Sequence, residues 1–207
     1  MLHTEQTASL SPLDLALRGR LTLLAKDFFL AQGYTSSSMD QVAKTAKVSK
    51  KTVYRLFSTK EAVLQSVVHS IMREIEELTT PLFNGLDESF DTQFERLVVH
   101  ISPQYAQLRS PASIKEMRIA APKTYEEFDA WRRTRFVLFV NMMARARDSG
   151  ALSSEFDFDG MISIYAALHN SCMDYSILQH ADIPADHVYR AFVDVFLNGI
   201  LSRELPA

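Results

Sequence analysis

Apolar residues recur at three- and four-residue spacing almost throughout this chain, and nowhere do they alternate with period two long enough to form a half-buried strand. That pattern restricts the fold to an all-α one. Leu13, Leu17, Leu21, Leu24, Ala25, Phe28 and Phe29 form one stripe, which predicts a helix over 13–32 ended by Gly33, a residue suited to the left-handed position after a helix. Ser38-Met39-Asp40-Gln41 has the form of a capping box and starts a short helix over 39–46. Ser49 then N-caps another short helix that runs to Leu56 or Phe57, and a long fourth helix is expected over 60–80, stopped by Pro81. Further breaks are expected near 84–88, at Pro103 and Pro111, and near 121–123, 149–154 and 182–184.

Two short helices joined by a tight turn make a helix-turn-helix, with Val42, Ala46, Val48, Val53 and Phe57 as the apolar contacts that fix their angle. The charge distribution singles out the same region. The formal net charge is −3, but residues 12–60 hold nine lysines and arginines against three acids, a net of +6 that leaves −9 on the remainder. A basic head on an acidic body suits a chain that binds nucleic acid through one part, because clustered cations release the counterions condensed on phosphates. Chance segregation of charge is the alternative reading at this point.

Other function classes find little support. No stretch approaches the roughly 18 apolar residues of a membrane span, and the first sixteen residues lack the basic start and apolar run of a signal peptide, so no membrane partner and a cytoplasmic location are expected. The single cysteine, Cys172, excludes an internal disulfide and a multi-cysteine metal site. There is no Walker loop, dinucleotide fingerprint or cluster of metal ligands, so no metal, cofactor or catalytic residue is expected. His169 and Cys172 lie three apart on one helical face, a spacing open to a Cys–His nucleophile pair, but nothing nearby suggests an oxyanion hole and a mid-helix cysteine is usually a small buried hydrophobe. Solvation or capping explains Glu126-Glu127 and the Asp157/Asp159 pair.

Arg18, Leu21, Leu24-Ala25, Phe29, Gly33-Tyr34, Val42-Ala43, Ala46, Val48-Ser49, Thr52, Tyr54, Phe57, Ser58 and Lys60-Glu61 stand in the order and spacing of the TetR-type transcriptional regulators, which the first third of the chain resembles. MRIAAPKTYEEFDAW is similar to the matching stretch of one broad subgroup of them. The resemblance implies a homodimeric, all-helical, ligand-responsive repressor, with an N-terminal DNA-binding domain and a larger C-terminal domain for effector binding and dimerisation. The expected division is an N-terminal arm over 1–11, the DNA-binding domain over 12–59, a connecting helix over 60–80, and the effector and dimerisation domain over 81–207. The sequence departs from the family at Lys47, where glycine is usual for a left-handed exit from the second helix, and at Lys51, where a small residue is common. Lysine in the left-handed conformation costs on the order of 1 kcal/mol.

The third helix, as the second of the pair, is expected to lie in the major groove with its first side chains at base edges. Lys50, Lys51 and Thr52 are the base-reading candidates: lysine donates to guanine O6 and N7, and the threonine methyl meets a thymine methyl. A solvated helix start is the alternative for them. Tyr54 and Lys60 are expected on flanking phosphates, as the family uses the matching positions, and the N-terminus of the second helix, at Ser38 and Met39, offers backbone N–H groups to another. Lys44 and Arg55 are further phosphate candidates that ordinary exposed helix charge explains equally well, and Arg18 and Arg20 are open between the same readings.

One helix-turn-helix reads few base pairs, so specific binding calls for two, set about 34–36 Å apart on a palindromic operator of double-stranded DNA. Residues 160–179 and 187–205 are apolar over more than one stripe, which suits a homodimer interface through about 157–180 and 184–203. The body is rich in Met, Phe and Tyr. Met117, Phe136, Phe139, Met143, Tyr165, His169 and Cys172 are candidates for the pocket of a small apolar or aromatic effector, with plain core as the commoner explanation for each. A helical dimeric protein-interaction scaffold without specific DNA binding is the competing class; it leaves the basic head unexplained.

Overall fold

In the computed structural model, residues 10–85, 89–97, 111–152 and 157–173 are described, the last without side chains at 165 and 168–173. They form eight helices: α1 (Pro12–Gln32), α2 (Met39–Ala46), α3 (Lys50–Leu56), α4 (Lys60–Asn84), α5 (90–97), α6 (Pro111–Ala120), α7 (Pro122–Asp148) and α8 (Phe158–Met173). No strand element occurs among the described residues, and the chain has the all-α fold its periodicity requires. No described helix is long and apolar enough to cross a membrane.

The helices divide into two compact units. The first takes residues up to Ile71 together with 112–127, and the second takes 72–111 and the residues from 128 onward. In the first, α1, α2 and α3 contact one another and bury Leu21, Ala25, Phe29, Val42, Ala46, Val53 and Phe57. The α1 stripe is packed only from Leu17 onward, since Leu13 is 79% exposed. Val63, Leu64, Val67, Val68 and Ile71 are the buried positions of the first half of α4, spaced as one helical face.

The second unit has a core of Leu82, Phe83, Phe90, Phe94, Phe139 and Met143, among others, with ring centroids of Phe94 and Phe139 6.0 Å apart. Here one expectation fails. Pro81 does not stop α4, which continues to Asn84. Proline removes one helical hydrogen bond, but the turn that contains it buries Leu82 and Phe83, and its carbonyls find other donors: Arg145 donates to Phe83 O, and Gln93 Nε2 to Gly85 O at 3.0 Å. Tertiary burial outweighs the local breaker. The expected breaks after 84 and near 111, 121–123 and 149–154 are present; those at Pro103 and 182–184 lie outside the described residues.

Candidate DNA-binding site

The three helices of the head are set by local chemistry. Ser38 Oγ accepts from Gln41 N–H at 3.2 Å while Gln41 Oε1 accepts from Ser38 N–H at 2.7 Å, the expected capping box at the start of α2. Ser49 Oγ accepts from Thr52 N–H at 3.0 Å and starts α3. Between them Lys47 adopts φ 55, ψ 41 and is the one non-glycine residue with positive φ among the described residues. Its N–H donates to Lys44 O at 3.1 Å and the Val48 N–H to Ala43 O at 3.0 Å, the paired bonds of a Schellman closure.

The last carbonyls of both short helices are held from α1. Arg18 donates to Leu56 O at 2.7 Å with its guanidinium 4.4 Å from the Phe57 ring centroid, and Arg20 donates to Ala46 O. Residues two apart on a helix point about 200° from one another, so each arginine reaches a different helix end, where a cation also meets the negative pole of the helix dipole. Burial pushes the Arg18 pKa down from its ordinary value. These two positions, open between DNA contact and plain charge in the sequence, are structural. Their signal was two arginines straddling an apolar stripe.

The remaining cations are unequally available. Lys50 pairs with Asp40 at 2.8 Å, both side chains exposed, and its ammonium lies 6.0 Å from the Tyr54 ring centroid; the Asp40 carboxylate raises its pKa. Arg55 makes two hydrogen bonds to Asp14, at 2.9 and 2.6 Å, which hold the Asp14 carboxyl below its ordinary pKa. Sequence reasoning missed both acids as partners. Lys60 is half-buried, donates to Thr35 O at 3.2 Å and stands 4.4 Å from the Tyr34 ring centroid; burial lowers its pKa, partly offset by Glu116. Among the described residues Lys44, Lys47 and Lys51 make no ion pair, and all three are exposed. They line the end of α2, the turn and the start of α3.

The other candidates fall on the same surface or in the body. Thr52 is half-buried, its hydroxyl 2.8 Å from Ser49 Oγ, and Tyr54 is 43% exposed. Met39 is buried, so only its backbone N–H faces a ligand, whereas Ser38 is exposed. Met117 is buried in the first unit; Phe139 and Met143 are in the core of the second, with Phe136 packed against it. The side chains of Tyr165, His169 and Cys172 lie outside the described residues. No group of acidic, histidine or cysteine side chains able to hold a metal occurs among those described. Asp157 is a cap, accepting from Gly160 N–H at 3.1 Å, and Glu127 is held by Gln65 at 2.8 Å and His69 at 3.0 Å.

Residues 23–67, the span of this helix-turn-helix, match the profile of "Bacterial regulatory proteins, tetR family". The HTH-type transcriptional regulator TtgW of Pseudomonas putida is 35% identical over 92 residues, which cover 44% of this chain and 67% of TtgW. The chain belongs to the TetR family. A second relative from Pseudomonas putida, the HTH-type transcriptional regulator SrpR, is 26% identical over 156 residues, 73% of this chain and 70% of its own. The fold is shared with the fatty acid degradation regulator FadR of Bacillus halodurans at a TM-score of 0.65, 16% identity, and coverage of 92% and 97% of the two chains. As a TetR-family protein the chain is a DNA-binding transcriptional regulator and not an enzyme.

Proposed function

We propose that the protein is a cytoplasmic, ligand-responsive repressor that binds a palindromic operator as a homodimer, with 12–59 as its DNA-binding domain. The observation that carries this reading is the convergence of three exposed lysines, 44, 47 and 51, on the turn between two fully capped short helices. With α3 in the major groove, Lys50, Lys51 and Thr52 read base edges, the threonine through its methyl because its hydroxyl is tied to Ser49. Lys50 leaves Asp40 to do so, an inexpensive exchange because exposed ion pairs contribute little. Phosphates are held by the Ser38 and Met39 end of α2, the Tyr54 hydroxyl, Lys60, Lys44 and Arg55. Lys60 has two N–H groups left after its bond to Thr35.

Dimerisation is assigned to residues about 157–180 and 184–203, and effector binding to the body. α4 continues without a break from Lys60 to Asn84, so a ligand that favours one setting of the body reaches the head through it. By linkage, an effector weakens DNA binding by the ratio of its affinities for the two settings. Gln65 and His69 of α4 support this reading, since both grip Glu127 of α7.

The test is a genome-wide selection of fragments bound by the purified protein, beside a Lys51→Ala/Tyr54→Ala variant. Those positions are exposed, so the double variant leaves the head folded, which loss of the half-buried Lys60 does not guarantee. A palindromic motif that the variant loses is the expected result. No enriched motif at low salt from a folded dimer makes the protein a scaffold and sinks the reading.

A further inference from the structure

α7 carries three arginines within four residues, and they are treated differently. Arg132 and Arg133 both pair with Asp129, at 2.8 and 2.7 Å. Arg135 meets no carboxylate at ion-pair distance among the described residues. It donates to Thr80 Oγ1 at 3.0 Å and to Thr79 Oγ1, and its guanidinium lies 4.8 Å from the Phe83 ring centroid. Its Nε is buried with no hydrogen-bond partner. Glu76 is the acid that acts on it at longer range, but one oxygen of Glu76 accepts the Trp131 indole N–H at 2.6 Å. Thr79 donates its own hydroxyl proton to Ile75 O at 2.6 Å, so its oxygen serves Arg135 only as a neutral acceptor.

Hydroxyls satisfy hydrogen bonds without balancing charge, and a partly buried cation with neutral partners is unfavourable. Burial accordingly lowers the Arg135 pKa. The guanidinium fork matches a carboxylate in two parallel bonds better than it matches two separate hydroxyls. Beside it are Phe83 and Phe136, and behind Phe83 the Met- and Phe-rich core, adaptable surroundings for an apolar tail.

We propose that Arg135 is the anion-binding residue of the effector site, and that the effector is an amphiphile with a carboxylate head and an apolar body. This rests on the body being the effector-binding part and narrows the class expected from composition alone. The carboxylate displaces one or both threonine hydroxyls from the guanidinium and supplies the missing charge.

The experiment is thermal unfolding of the full chain with decanoate and with 1-naphthoate, each below micellar concentration, beside decanol and methyl 1-naphthoate. At least one carboxylate should raise the melting temperature while its neutral counterpart does not, and the responding acid tells a straight-chain from an aromatic ligand. Arg135→Met should be at least as stable as the parent without ligand and bind the acid at least about thirtyfold more weakly. Arg135→Lys, which keeps the charge and loses the fork, should lie between. A parent that responds to neither acid, or an Arg135→Met variant that keeps the response, overturns the proposal. So does a sharp loss of unliganded stability in both variants, because the arginine is then structural. Binding of the parent to selected DNA without any acid is measured in parallel, so that failure of the regulator reading is seen separately.

Discussion

α2 in the first unit and α7 in the second end through the same pair of backbone hydrogen bonds, yet the left-handed residue is lysine in one and glycine in the other. Gly150, at φ 78, donates to Arg147 O at 3.0 Å and Ala151 to Ala146 O at 3.0 Å, as Lys47 and Val48 do on α2. Glycine adopts this conformation without strain, whereas lysine loses on the order of 1 kcal/mol. The closures differ also in their extra donor. Arg20 reaches Ala46 O in the head, and in the body the neighbouring Ser149 hydroxyl reaches Ala146 O at 3.0 Å. The body closes its helix with local, neutral groups. The head closes its helix with two cations, one strained and one borrowed from α1, which is the choice of a surface that meets a polyanion.

The largest test of this contrast removes the extra donors. Hydrogen bonds from a charged group are worth about 1.5–3 kcal/mol, and neutral ones about 0.5–1.5. Arg20→Ala should therefore lower unfolding stability in urea by about 1.5–3 kcal/mol, and Ser149→Ala by less than half as much. Equal losses would mean that the head does not depend on its arginine.

Next in size is the effect on DNA. Lys51→Ala should weaken binding to the selected operator by about 1–3 kcal/mol and relax preference at one position of each half-site, as loss of a base contact does. A uniform loss across all sequences would move Lys51 to the phosphate-binding group.

The two closures can also be exchanged. Lys47→Gly should raise stability by about 1 kcal/mol while flattening the salt dependence of DNA binding by about one unit of slope. Gly150→Lys should lower stability by a similar amount and leave DNA binding alone; a Cβ at Gly150 meets nothing within 4 Å, so backbone strain is isolated there. A stability gain in Lys47→Gly with unchanged salt dependence would show that the lysine at the turn plays no part in binding.

What the sequence discloses follows the range of each interaction. Ser38 and Gln41 are three residues apart, as are Ser49 and Thr52, so both caps were legible, and so was the left-handed place of Lys47 from the family's glycine there. Arg18 meets Leu56 across 38 residues, Arg20 meets Ala46 across 26 and Arg55 meets Asp14 across 41. No local pattern encodes such pairs. The count of nine cations consequently overstated the charge open to DNA, since four of them are held by carbonyls or carboxylates. Pro81 misled for the same reason, its local penalty being outweighed by burial contributed from α5 and α7. Likewise nothing in the spacing of Arg132, Arg133 and Arg135 reveals which of them lacks a carboxylate.

The smallest expected effect concerns the other cation-closed end in the head. α3 finishes with Arg55 clasped by Asp14 of α1, and those hydrogen bonds hold the Asp14 pKa below its ordinary value. A carboxylate with a depressed folded-state pKa stabilises the fold above its unfolded pKa of about 3.9 and loses that contribution as pH falls through the lower folded value. The pair is exposed and its contribution is modest. Comparing urea midpoints of the parent and Asp14→Asn should therefore show a small advantage for the parent at pH 6 that disappears below about pH 4. Salt should shrink it at pH 6 as well, because exposed pairs are screened. The body's glycine-and-serine closure offers the control: Ser149→Ala contains no titrating group, so its deficit should stay level over the same range. A deficit in Asp14→Asn that is equally level would mean that the charge on Asp14, and with it the pair to Arg55, contributes nothing to the fold.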